Sequence, residues 1–232
     1  ATVIGGYGAV FWMWLLALIG AASAFIESTL AQCYKEKHGD NWVGGPAYYI
    51  EKGLHCKWLA RTFSVLLILA LGFTGNMVQS NSICAAFETS FGLPRFIGGL
   101  AVAALAAVIL LGGIGRIAAF TEKVVPVMAC LYLVGSVAVL AVHADRILPA
   151  FGMIFEAAFR PSAAFGGVAG YTVLRSMKYG VARGLFSNEA GVGSAPNAAA
   201  SADVSHPVKQ GLVQMLSVFI DTLLICSATA FM

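Results

Sequence analysis

The chain has 232 residues, of which 59% are hydrophobic and 11% charged, and its mean hydropathy is +0.83. A soluble domain carries roughly 25% charged residues, so this composition excludes an ordinary water-soluble fold and points to an integral membrane protein. The net charge of +3 is small and spread over the connections, with no basic stripe interleaved with aromatics, which argues against a nucleic-acid partner.

The apolar runs are of helix length, so the fold class is all-α, with about six membrane helices. The runs at residues 1–31 and at the LLICSATAFM end read as spans cut short, without a secretory leader pattern. The sequence therefore reads as an internal part of a longer, transporter-sized protein. Cys33, Cys56, Cys84, Cys130 and Cys226 have no metal spacing and read as small hydrophobes, implying neither disulfides nor zinc.

In chain order, the first span covers 7–33, with Trp12 and Trp14 near its start, where amphipathic rings suit an interface. Glu27 near its far end either approaches headgroup water or serves helix packing or gating. Residues 34–62 are the most polar connection, and Gly44-Gly45-Pro46 followed by AYYIEKGL reads as a turn and a short interfacial helix. The second span, 62–91, carries Asn76, Gln79, Ser80, Asn81 and Ser82 at mid-depth. Asn76, Gln79 and Ser80 fall on one broad face, behind a groove made by Gly72 and Gly75. One amide is ordinary interhelical glue, but this density of polar groups predicts a cavity lining.

Spans at 96–113 and 124–142 are nearly featureless, with Pro126 expected in the first turn of the latter, where a missing N–H does least harm. The segment 149–159 reads as an interfacial helix. Connections assigned to the cytoplasm hold Lys35, Lys37, Lys52, Lys57, Arg61, Arg116, Lys123 and Lys209, against Arg95, Arg146 and Arg160 outside. That balance fits the positive-inside rule.

The fifth element, 166–202, is the anomaly. Its first half carries Arg175, Lys178 and Arg183 on one arc, and its second reads SNEAGVGSAPNA. Gly191 and Gly193 allow dihedrals a helix interior does not, and Pro196 removes a donor, so this helix is broken at membrane depth. A break exposes carbonyls that attract an ammonium or Na⁺ and N–H groups that attract a carboxylate, together matching a zwitterionic amino acid. Leu185 and Phe186 would wall the pocket beside Ser187 and Asn188; the bland alternative is a polar turn without a ligand. In the last span, 208–232, Asp221 at mid-depth pairs with an Arg or Lys of the broken helix as a structural or gating contact, or coordinates a cation with Thr222, or carries a proton. Glu189 is a further cation or gating candidate. Catalysis finds no support. His38, His55, His143 and His206 all sit in connections, without HExxH spacing, and neither GxSxG nor a P-loop occurs.

Taken together, GAVFWMW with FIESTLAQCYKEK, GGPAYYIEKGL, GNMVQSNS and RGLFSNEAGVGSAPNAAASA resemble, in the same order and over essentially the whole chain, the alanine or glycine:cation symporter family. The resemblance implies a leucine-transporter-type bundle of two inverted five-helix repeats, with substrate at two discontinuous helices. It makes 7–33 core helix two, GNMVQSNS part of core helix three and SNEAGVGSAPNA the break of core helix six. It implies Na⁺-coupled symport of a small neutral amino acid such as alanine or glycine by a multi-pass protein of the cytoplasmic membrane, with Na⁺ as coupling ion and no cofactor. It further implies that Gln79 contacts substrate, and that the principal Na⁺ site lies on helices upstream and downstream of this chain. Tyr7 stands where the family leads one to expect proline. A channel or a structural bundle without substrate coupling is the alternative.

Overall fold

The computed structural model describes residues 2–39, 41–159 and 168–232. The outer-side assignment of Arg160 and the expected start of the fifth element at Gly166 lie outside the described residues. The chain divides into two compact units, residues 62–132 and the remainder.

In the larger unit, a short helix α1 (Thr2–Gly5) leads into the long helix α2 (Gly8–Cys33), on which the other elements pack. The buried face of α2 is almost all small: Gly8, Ala9, Ala17, Gly20, Ala21, Ala24, Ser28 and Ala31 recur at helical spacing. Small side chains let helix backbones approach in a setting where apolar burial against lipid gains little, so packing relies on close contact. The helices α8 (Ala144–Phe159), α9 (Val168–Asn188) and α11 (Pro207–Phe219) each exploit this. A Cβ built on Gly8 would lie 2.5 Å from the Ala157 carbonyl oxygen, and one on Gly180 would collide with Ala9 O. Gly211 is likewise pressed against Phe25 and Thr29. Above this, Phe11 packs edge-on against Phe159 at 4.8 Å, and Trp14 donates to Ser227 Oγ at 2.7 Å.

After α2 comes a feature the sequence did not announce, a two-stranded ribbon of β1 (Glu36–His38) and β2 (Asn41–Val43), with Lys37 opposite Trp42. Lys35 Nζ lies 4.6 Å from the Trp42 ring centroid. The helix α3 (Pro46–Leu54) follows, and its Lys52 pairs with Glu36 at 2.8 Å while donating to Tyr34 O at 3.1 Å. Lys52 holds the Glu36 carboxyl below its ordinary value, chiefly through their hydrogen bond. A depressed carboxylate contributes stability above its unfolded value, about 4.3, and loses it as pH falls through the folded one. Amide exchange of β1 and β2, corrected for intrinsic rates, is therefore expected to be faster at about pH 3 than at about pH 6. Equal protection at both would show that the pair does not hold the ribbon.

The helix α4 (Lys57–Leu67) runs through a π-helical segment (Ile68–Gly75) into α5 (Asn76–Phe91), forming one rod from Lys57 to Phe91. Within the smaller unit, Gly92 in the left-handed region and Pro94 turn the chain into α6 (Arg95–Leu110), whose Gly98 packs on Cys84. The helix α7 (Gly113–Val142) departs from expectation, since the connection placed at 115–126 is helical and Pro126 lies inside the helix. The turn at Gly112-Gly113 breaks the chain, whereas Arg116, Glu122 and Lys123 continue the helix because charge alone does not end one. The last helix likewise passes through a π-helical segment (Ile220–Cys226) into α12 (Ser227–Phe231).

Among the described residues, four helices are long and apolar enough to cross a bilayer: Gly8–Cys33, Lys57–Phe91, Gly113–Val142 and Pro207–Phe231. Arg95–Leu110 is a shorter apolar one. The molecule is thus an all-α membrane protein in its architecture, with one small ribbon.

Candidate functional site at the helix break

The helix α9 stops at Asn188 and resumes as α10 (Ala195–Ser201). Between them the backbone turns left-handed three times, at Glu189 (φ 52°), Gly191 (φ 85°) and Gly193 (φ 86°). The two glycines meet this requirement without a Cβ penalty; Glu189 does not, and its carboxylate is held by Ser194 Oγ.

Side chains take over the hydrogen bonding that the helix gives up. Asn188, 7% exposed, accepts from Ala190 N at 3.1 Å through Oδ1 and donates to Thr222 Oγ1 at 3.2 Å through Nδ2. Ser187 Oγ donates to Asp221 Oδ2 at 2.7 Å and lies 3.2 Å from Cys226 Sγ. Two neighbours at the end of α9 thus meet two neighbours in the π-helical segment, forming a short polar ladder. Gly191 N donates to Glu27 Oε2 at 3.3 Å, and Val192 N to Glu189 O at 3.1 Å. Three consecutive N–H groups at the break, Ala190 to Val192, are therefore already engaged by the protein. Tyr49 on α3 also senses Glu27: burial first, then that carboxylate, pushes its phenol up to about 12, so it stays neutral.

The remaining candidates divide by location. Leu185 and Phe186 occupy the last turn of α9, where Phe186 is half exposed and its ring lies 5.6 Å from the Arg183 guanidinium. Asn76, Gln79 and Ser80 belong to the smaller unit. There Asn76 and Ser80, with Asn81 and Met77, line an open groove of about 510 Å³, while Gln79 lies outside its lining. Asn76 Nδ2 donates to Gly72 O at 3.1 Å, inside the π-helical segment. Sequence reasoning passed over Gln32. This amide is 5% exposed and donates from Nε2 to Ala199 O at 2.6 Å and to Ala202 O at 2.9 Å. Its signal was present, since it follows Ser28 by four residues and closes the small-residue face of α2.

The model of the family described as "Sodium:alanine symporter family" matches residues 1–232. The chain is 50% identical over 232 residues to the "Putative sodium/proton-dependent alanine carrier protein YrbD" of Bacillus subtilis (strain 168), covering 100% of this chain and 47% of that protein. It is 48% identical over 231 residues to the "Probable sodium/glutamine symporter GlnT" of the same organism, covering 100% and 48%. It is 42% identical over 235 residues to the "Sodium/alanine symporter AgcS" of Methanococcus maripaludis, covering 99% and 51%. The chain spans about half the length of the curated relatives it matches.

Proposed function

This chain belongs to the sodium:alanine symporter family, and on that premise we propose that it forms the substrate-binding half of a Na⁺-coupled symporter for a small neutral amino acid. The protein works by alternating access in the cytoplasmic membrane, and the chain supplies core helices two to seven of a leucine-transporter-type inverted repeat. The observation that carries this reading is the interrupted helix α9–α10, whose break is held by side chains, in a chain that matches the family over its whole length. Irregular backbone at membrane depth is tolerated where it is buried or lines a wet cavity, as a transport site requires.

In this reading Gln79, Asn76 and Ser80, all in the smaller unit, are candidates for polar contact to an amino acid there. Leu185, Phe186, Ser187, Asn188, Gly191 and Gly193 shape the pocket at the break. The ladder gives Asp221 and Thr222 protein partners in Ser187 and Asn188, which favours a structural or gating role for them over direct cation ligation. Na⁺ enters as coupling ion. Relatives named for alanine and for glutamine differ in side-chain size, and a methylene is worth only about 1–3 kcal/mol in a pocket, so the class of substrate is firmer than its member.

The test is uptake by the full-length protein in proteoliposomes under an inward Na⁺ gradient. Labelled alanine, glycine or glutamine is expected to accumulate about tenfold above a choline control, since a coupled ion gradient worth about 1.4 kcal/mol sustains that ratio. No accumulation of any of the three would overturn the reading. Downhill flux without Na⁺ dependence would favour a channel.

A further inference from the structure

Both halves of the broken helix pack on α2, but the polar side chains that hold their ends differ. The end of α9 is tied through Ser187 and Asn188 to Asp221 and Thr222. The half-helix α10 is tied elsewhere. It has seven residues, too short to persist by its own hydrogen bonds, and at its end Ala202 N donates to Ala199 O at 3.3 Å. Gln32 Nε2 supplies Ala199 O and Ala202 O, one N–H to each, and Lys35 Nζ adds a third bond to Ala202 O at 3.0 Å. The Lys35 charge also complements the negative end of the helix dipole. Around this cap the contact is at backbone distance. A Cβ on Gly44 would lie 2.7 Å from Ala200 Cβ and 3.0 Å from Ala31 O.

We propose that Gln32 is a positioning residue that fixes α10 to α2 and the ribbon, so that the two half-helices move against each other only across Glu189–Ser194. The consequence for transport rests on the symporter reading above, whereas the anchoring itself does not. In a cycle that opens the site to alternate sides, this cap keeps α10 seated on α2, while the end of α9 is bonded to the π-helical segment. The stretch left to absorb the difference is the one with three left-handed residues.

Gln32→Glu keeps size and shape but turns the amide's donors into a second acceptor facing two carbonyls. Hydrogen exchange of the full-length protein in detergent is expected to show residues 195–202 exchanging about tenfold faster, with residues 181–188 unchanged. Gln32→Met, which removes the donors without adding repulsion, is expected to give a smaller acceleration of the same segment. In proteoliposomes, normalised to incorporated protein, Gln32→Glu is expected to lower the maximal uptake rate about tenfold while the KM for amino acid stays within about twofold. If Gln32→Glu does not fold, Lys35→Met removes one of the three bonds and is expected to speed exchange in 195–202 about threefold. Unchanged exchange in 195–202, or equal acceleration in 181–188, would overturn the proposal. Wild-type protein that fails to take up any amino acid would sink the symporter reading but leave the exchange result to decide the anchoring.

Discussion

Replacing Gly45 with alanine is expected to destabilise the full-length protein by about 2–5 kcal/mol and to lower uptake with it. Two independent costs add here. The Gly45 backbone sits at φ 123° and ψ −169°, a region essentially reserved for glycine, where a side chain costs about 1–3 kcal/mol. A Cβ there would also be driven into Asn197 Oδ1, with Asn197 Cγ at 2.8 Å and Cα at 3.3 Å. Asn197 cannot yield freely, because its Nδ2 donates to Gly193 O at 3.0 Å and Ser194 O at 3.3 Å; displacing it forfeits about 0.5–1.5 kcal/mol per bond. The loop before α3 would thus push on the first turn of α10 and, through it, on the break. Gly39→Ala is the control, since Gly39 is also left-handed (φ 59°) but has nothing within 4 Å of an added Cβ. Thermal unfolding in detergent separates the two. A Gly45→Ala protein that melts with Gly39→Ala would show that the loop does not bear on α10.

The break was readable because its requirements are written in residue types. Gly191 and Gly193 permit left-handed backbone and adopt it, and Pro196 lies in the first turn of α10. Glu189 was not readable as a left-handed residue, because nothing in a glutamate marks it for that conformation; the Ser194 contact that holds it is specific to the folded turn. Asp221 announced its need for a partner, but Ser187 is 34 residues away, and the choice was made by the packing of helices on α2. The π-helical segments carry no comparable signature, yet one contains Asp221 and Thr222 and the other ends beside Asn76. In α5 the groove takes positions four apart, Asn76 and Ser80, with Met77 and Asn81 beside them. Gln79, three from Asn76, flanks it because a three-residue step falls about 60° short of a full turn. Gln32 escaped notice because a lone amide on a small-residue face looks like packing glue until its acceptors are seen.

Asn188→Leu is the second substitution expected to have a large effect, about 2–5 kcal/mol of stability with loss of uptake. Leucine matches asparagine in heavy-atom count and branching, so the site stays filled while its hydrogen bonds are lost. The change strands two groups at once: the N–H of Ala190, 3% exposed, and the hydroxyl of Thr222, fully buried. Each orphaned buried group costs about 1–3 kcal/mol. Asn188→Asp is expected to be milder, because it keeps the acceptor for Ala190 N and the Thr222 hydroxyl turns to donate instead. Thr222→Val removes the other end of the rung. If the ladder anchors α9 to the π-helical segment, the double variant Asn188→Leu/Thr222→Val costs less than the sum of the singles, by a coupling of about 0.5–3 kcal/mol. Strict additivity would mean that the two residues merely sit together, and that the end of α9 is held by its packing on α2 and by the Ser187–Asp221 bond. Coupling would instead make the π-helical segment part of the break, because a change in its wide turn would shift Thr222 and release the Asn188 side chain that replaces the missing helix bond at Ala190.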